Sequence, residues 1–280
     1  MTGLVLEGGG MRGLYTAGVL ESFSDMNIMF DYVIGVSAGA CHGLSFITGQ
    51  RGRNFRINTE YLNDKRYLSF SNFIKTKSMF GMDFLFGEIP NNLDVFDFEA
   101  FMSSPCRHIT GVTDAETGKP VYFEKADMDR NYTLLRASTS IPCFSPVVDL
   151  KGGKYYDGGT TDPIPYGRAL EDGCDKVVVV LTRDRNYIKP PEKFRVIYKR
   201  LLKKYPKMIE VLDRRHIVYN ESLSELKKLE ACGTAFVIAP SAPLSISRFE
   251  KNKDNLNKIY QMGMQDTNDL SETLLDYLRR

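Results

Sequence analysis

Gly3-Leu4-Val5-Leu6-Glu7-Gly8-Gly9-Gly10-Met11-Arg12-Gly13 opens the chain as a short apolar run that ends in a cluster of glycines. From Leu14 to Met26, apolar residues at Leu14, Ala17, Val19, Leu20 and Phe23 follow near helical spacing, so the reading is strand, tight turn, helix. The order repeats at once: Tyr32-Val33-Ile34 is a buried-type strand, Gly35 to Gly39 a turn, and Ala40 to Thr48 an apolar helix. Parallel strands need crossovers, and two such units in succession predict an α/β fold with a mostly parallel central sheet and helices on its faces. Further along, His108 to Thr113, Val121-Tyr122-Phe123 and Val177 to Leu181 read as strands, the last the most apolar. Pro190-Pro191 punctuates the chain before a basic helical stretch, Phe194 to Leu229; Ala235 to Ile238 reads as a last strand and Lys251 to Arg280 as a closing helix. Residues 51–105, rich in Phe, Tyr, Asn and Lys with weak periodicity, fit a cap or lid and equally a set of core helices. No repeat, low-complexity tract or linker divides the sequence, which predicts one domain over 1–280, with a motif-bearing core at 3–182 and a C-terminal extension at 183–280.

The 280 residues carry 37 Lys+Arg against 35 Asp+Glu, so no global field marks a nucleic-acid binder. A composition of 42% hydrophobic and 26% charged residues excludes a disordered chain. The five cysteines, Cys41, Cys106, Cys143, Cys174 and Cys232, are scattered without a C-x-x-C pair, and read as reduced thiols of a cytoplasmic protein. No signal-peptide pattern and no apolar stretch of bilayer-spanning length is present. Phe194 to Leu212 interleaves Arg195, Lys199, Arg200, Lys203, Lys204 and Lys207 with apolar residues. This is either a helix docked on the sheet with its lysines in solvent, or a basic surface for peripheral contact with an anionic membrane.

Chemistry concentrates in the turns. Gly35-Val36-Ser37-Ala38-Gly39 is G-x-S-x-G at a strand-to-helix junction, the context of a nucleophile elbow; the plainer alternative is a Gly/Ser-rich turn. The helix after Ser37 turns its positive end toward any oxyanion formed there. Gly8, Gly10 and Gly13 also satisfy G-x-G-x-x-G, which would make a nucleotide-binding module. That fingerprint wants an acidic residue after the second strand, whereas Asp31 precedes it. The other use of the glycine run is to aim backbone N–H groups at one anionic oxygen, with Arg12 adding charge or fixing the loop: an oxyanion hole. No histidine makes a convincing base, since His216 sits on a charged helical face, His42 more than a turn into a helix, and His108 at the start of a strand. Tyr155-Tyr156-Asp157-Gly158-Gly159 instead offers a carboxylate at a strand end, either an ordinary Asp-Gly turn or, partly desolvated, a base able to take a serine proton.

Glu7-Gly8-Gly9-Gly10-Met11-Arg12-Gly13, Gly35-Val36-Ser37-Ala38-Gly39 and Asp157-Gly158-Gly159, in that order, resemble the patatin-like phospholipases. Arg136-Ala137-Ser138-Thr139-Ser140-Ile141-Pro142 through Val147 is similar to the Ala-Ser- and Pro-rich stretch which that family carries before its Asp-Gly motif. Glu7 stands where the family often has Asp or Ser. The resemblance spans about residues 3–182. It implies a three-layer α/β/α sandwich and hydrolysis of lipid acyl esters by a Ser–Asp dyad with neither histidine, metal nor cofactor. Carried over by position, Ser37 is the nucleophile, Asp157 the base and later acid, and Gly8, Gly9, Gly10 and Arg12 the oxyanion loop, with a lipid or fatty-acyl ester as substrate. A patatin-fold protein that only binds a partner is the remaining alternative.

Overall fold

The computed structural model describes residues 1–280. The opening runs form β1 (Thr2–Leu6) and β2 (Tyr32–Val36), followed by α1 (Leu14–Asp25) and α2 (Ala38–Ile47). Residues 51–105 add α3 (Arg53–Thr59), α4 (Phe70–Thr76), a π-helical segment (Phe84–Leu93) and α5 (Phe98–Ser103). Then come β3 (Arg107–Asp114), β4 (Pro120–Glu124), α6 (Thr133–Ser138), β5 (Val148–Leu150), β6 (Gly153–Asp157), α7 (Tyr166–Glu171) and β7 (Lys176–Val180). The chain closes with α8 (Arg195–Leu201), α9 (Pro206–Ala231), β8 (Ala235–Ile238), α10 (Lys253–Asp269) and α11 (Ser271–Arg279).

β1 lies between β2 and β7, β3 flanks β2 and β8 flanks β7, all parallel. The chain thus winds outward from β1 to β3 and later returns to the other side of β1. Such a reversal opens a crevice at the carboxyl ends of the strands, the usual ligand position in α/β sheets. Alternate side chains of the buried strands serve two cores. Leu4, Leu6, Val178 and Val180 pack with α1, α2 and α10, while Val5, Val177 and Val179 pack with Ala169 of α7 and Tyr219 and Leu226 of α9. Helices therefore cover both faces of the sheet, in three layers.

The antiparallel edge, which the sequence did not announce, fixes the site. β4 pairs with β3 over Ile109–Thr113 and so occupies one edge of that strand. β2, opposite 107–111, and β6, opposite 112–114, must then share the other edge. They meet end to end: Val36 lies opposite Gly111 and Asp157 opposite Val112, the next residue. A two-residue turn delivers β6, with Lys151 at φ 48° and Gly152 at φ 79°, the backbone of a tight hairpin.

In the 51–105 segment Leu62, Tyr67, Phe86, Ile89 and Phe101 are buried with the α1–α2 core, whereas Phe70 and Ile74 of α4 are exposed. The basic helical stretch divides at Pro206, which takes the first position of α9, where a missing N–H costs nothing. The closing helix divides at Leu270. α10 crosses α1 at glycines: a Cβ on Gly18 would lie 2.0 Å from the Tyr260 carbonyl oxygen, and one on Gly263 2.2 Å from that of Tyr15. No helix is long and apolar enough to cross a membrane.

Candidate active site

Between the end of β2 and the start of α2 stands one residue, Ser37, at φ 53° and ψ −127°. A non-glycine residue in that region carries about 1–3 kcal/mol of strain and persists only where its surroundings over-determine it. The Ser37 amide donates to Ser138 Oγ (2.9 Å), whose hydroxyl donates to the Gly111 carbonyl (2.7 Å). α6 is thereby tied across the elbow to β3. The flanking glycines are required by close approach, since a Cβ on Gly39 would lie 2.3 Å from the Leu6 carbonyl oxygen and one on Gly35 2.6 Å from the Ala40 nitrogen.

The meeting of β2 and β6 brings Asp157 to Ser37. Ser37 Oγ donates to Asp157 Oδ2 at 2.6 Å, and Asp157 Oδ1 accepts from the Gly159 amide at 2.8 Å. The Asp157 amide donates to the Ser140 carbonyl, and its carbonyl accepts from Thr113 Oγ1. Both side chains are buried, each 7% exposed. Burial raises the Asp157 carboxyl pKa above the ordinary carboxylate range, while the Ser37 hydrogen bond, Arg215 and the Gly159 amide oppose the shift. A carboxylate in this state can take a proton from the hydroxyl it touches.

The glycine loop lies against the elbow: a Cβ on Gly8 would sit 3.0 Å from that of Ser37. The Gly8 and Gly9 amides donate to no group in the protein. Gly10, at φ 57°, turns the chain into a 3₁₀ turn, Gly10–Gly13, that leads to α1. Beneath the loop the buried Glu7 carboxylate accepts from the Thr182 amide (2.6 Å) and the Tyr219 hydroxyl (2.8 Å). Its pKa is raised by burial, and its role is to brace the ends of β1 and β7 against α9. Arg12 is buried, its Nε has no partner, and burial together with Arg183 and Arg248 lowers its pKa to about 10.

No histidine hydrogen-bonds to Ser37 or Asp157. His42 and His108 are buried, which lowers each to about 4. His216 is half-buried on α9, where the sequence suggested an exposed charged face.

Two cavities meet at Ser37. One, of about 110 Å³, is lined mainly by apolar residues including Met11, Ile57, Tyr67, Phe86 and Leu135. The other, of about 400 Å³, is lined by the glycine loop, Asp157, Arg12, Arg183, Arg215 and Arg248. Arg12 was expected in the glycine loop, and Ser138 lies in the Ala-Ser-rich stretch singled out above, but nothing in the sequence marked Ser138 as the partner of the Ser37 amide or Arg183, Arg215 and Arg248 as site residues. Their contacts span from tens to hundreds of residues, and only the fold assembles them.

The family model described as patatin-like phospholipase matches residues 4–170, more than half of the chain. The chain belongs to the patatin-like phospholipase family. Membership makes it a lipid acyl hydrolase, as the motifs implied. A second model, a domain of unknown function named DUF6363, matches residues 205–279. Among curated proteins the chain is 27% identical to the uncharacterized protein YjjU of Escherichia coli K12 over 273 residues, covering 93% of this chain and 74% of that one. It is 24% identical over 290 residues to the lysophospholipase NTE1 of Candida albicans, covering 96% of this chain but 20% of that protein. The NTE1 lysophospholipase of Lodderomyces elongisporus is 23% identical over 94% of this chain and 18% of its own length. The chain thus spans about a fifth of those two lysophospholipases. The crystal structure of VipD from Legionella pneumophila shares the fold, with a TM-score of 0.55 and 11% identity over 97% of this chain and 67% of that one. The patatin-like α/β architecture expected from the sequence is borne out.

Proposed function

We propose that this patatin-like chain cleaves carboxylic ester bonds of lipids, as a phospholipase A, lysophospholipase or esterase, through a Ser37–Asp157 dyad and an acyl-enzyme. The 2.6 Å hydrogen bond from Ser37 Oγ to the buried Asp157 carboxylate carries the reading. Ser37 Oγ attacks the ester carbonyl carbon as its proton passes to Asp157 Oδ2. The tetrahedral oxyanion takes hydrogen bonds from amides of Gly8, Gly9 and Gly10, next to the positive end of α2, and each donor lowers the barrier by about 3 kcal/mol. Asp157 returns the proton to the leaving alcohol. Water then gives a proton to Asp157 and attacks the acyl carbonyl; Ser37 recovers that proton and the fatty acid leaves. The apolar cavity receives the acyl chain, and Arg12 holds the loop. The free cysteines support a cytoplasmic location. Contact with the membrane surface runs through α8 and the basic residues after it.

The test is hydrolysis of a soluble short-chain acyl ester. Ser37→Ala, with an unchanged circular dichroism spectrum, loses at least about 10³-fold in kcat. Retention of wild-type turnover by that folded variant contradicts the reading.

A further inference from the structure

We propose that the larger cavity is an anion subsite for phosphate carried on the alcohol side of the ester, so that the preferred substrates are phosphate-bearing acyl lipids without a compensating positive charge, rather than neutral glycerides. The assignment rests on the hydrolase reading above and names its substrate class.

The charge balance of the cavity leads there. Six cations line it, Arg12, Arg183, Lys189, Lys193, Arg215 and Arg248, against the acids Glu7, Asp157 and Glu192. All three acids are engaged. Glu7 accepts from the Thr182 amide and Tyr219, Asp157 from Ser37 and the Gly159 amide, and Glu192 pairs with Arg215 at 2.9 Å and Lys189 at 3.4 Å. Arg12 and Arg248 make no side-chain hydrogen bond to the protein, and the Arg183 guanidinium lies over the Tyr187 ring, 4.2 Å from its centroid. None of the three has a carboxylate within salt-bridge distance, Arg12 is only 8% exposed, and the charge of Arg183 lowers the pKa of both Arg12 and Arg248 by repulsion. Guanidiniums clustered away from bulk water, outnumbering the nearby carboxylates and paired with none, are unfavourable unless an anion joins them. Their planar forks match the oxygens of a phosphate.

Position decides which end of the substrate carries that anion. Arg248 stands on the glycine loop: its carbonyl accepts from the Met11 amide, and a Cβ on Gly10 would lie 3.1 Å from that of Arg248. The apolar cavity on the other side of Ser37 has one arginine, Arg53, already paired with Asp94. Acyl chain and anion are therefore assigned to different cavities that meet at Ser37, one on each side of the reacting ester. Arg215 and Arg248 belong to the 205–279 segment, whose family model has no function attached. Holding the head group is the role this assigns to it.

The test compares kcat/KM of the full chain on decanoyl lysophosphatidic acid, lysophosphatidylglycerol, lysophosphatidylcholine and monodecanoylglycerol. All are kept below their micelle concentrations, so that adsorption to a surface plays no part. The wild type favours lysophosphatidic acid over monodecanoylglycerol by at least about ten-fold, and Arg248→Gln and Arg183→Gln each reduce that ratio about ten-fold. Inorganic phosphate inhibits competitively, less so in the variants. A wild-type ratio near one overturns the assignment, as does a ratio unchanged in both variants. Inhibition by inorganic phosphate beside a flat ratio overturns it too, in favour of a free-anion site. Equal turnover of neutral and phosphorylated esters defeats this inference alone. No turnover of any ester, with Ser37 inert toward a fluorophosphonate, defeats the hydrolase reading and this assignment with it.

Discussion

Ser37 keeps a backbone conformation that serine avoids because Ser138 holds its amide, glycines let the β2–α2 junction close, and Asp157 takes its hydroxyl. The carboxylate is costly to hold there. Its folded-state pKa lies above the unfolded value, mainly through burial, so the cost is absent in acid and sets in as pH rises through the raised value. Asp157→Asn removes a buried charge while keeping an acceptor for Ser37. Its melting temperature at pH 7 should therefore equal or exceed that of the wild type, the difference shrinking toward acid pH, while hydrolysis falls at least about 10³-fold. In the wild type, kcat/KM should fall as pH drops through that same raised value, because only the ionised carboxyl accepts the proton. A clearly less stable Asp157→Asn, or a flat acid limb, contradicts this. At this scale the sequence was partly legible. Ser37 and Asp157 lie in turns whose glycines announce tight geometry, whereas Ser138, although within the Ala-Ser-rich stretch, shows no partner until α6 is laid across β3.

Among the elements, the strand–turn–helix units were legible because strands buried on both faces are continuous apolar runs and the helices after them keep their spacing. The end-to-end meeting of β2 and β6 was not, since it depends on which edge of β3 the hairpin strand β4 occupies. Nor was the crossing of α10 on α1, where Gly18 and Gly263 look like poor helix formers until the two backbones are brought together. Gly263→Val tests that crossing. A better helix former gains a few tenths of a kcal/mol, but the new side chain meets the Tyr15 carbonyl, and overpacking costs about 1–3 kcal/mol, so the net is destabilising. Urea denaturation should show a lower midpoint. A midpoint at or above that of the wild type would mean the helices are not held this closely.

Across the whole molecule, the patatin-like match ends at 170, yet β7 and β8 complete the sheet and α10 covers α1. The larger cavity opens toward a rim where Phe144, Phe194, Ile197 and Leu201 are exposed, with Lys199, Arg200, Lys203 and Lys204 nearby. Tyr198, Leu202, Met208 and Leu212 face inward, so the sequence's two readings of this segment each describe part of it. An apolar rim among basic residues fits an anionic bilayer, with about 1 kcal/mol per basic residue near the surface. Co-sedimentation with vesicles containing phosphatidylglycerol should exceed that with phosphatidylcholine alone, and the excess should fade as salt rises from 0.05 to 0.5 M. Equal binding to both, independent of salt, contradicts it. All these features serve one hydroxyl, and the most direct measurement asks whether that hydroxyl alone is reactive. Treatment of the intact chain with a fluorophosphonate, followed by peptide mass spectrometry, should give a single adduct on Ser37 in the wild type and none in folded Asp157→Asn; an adduct on another residue, or undiminished labelling of Ser37 without the carboxylate, would contradict the account.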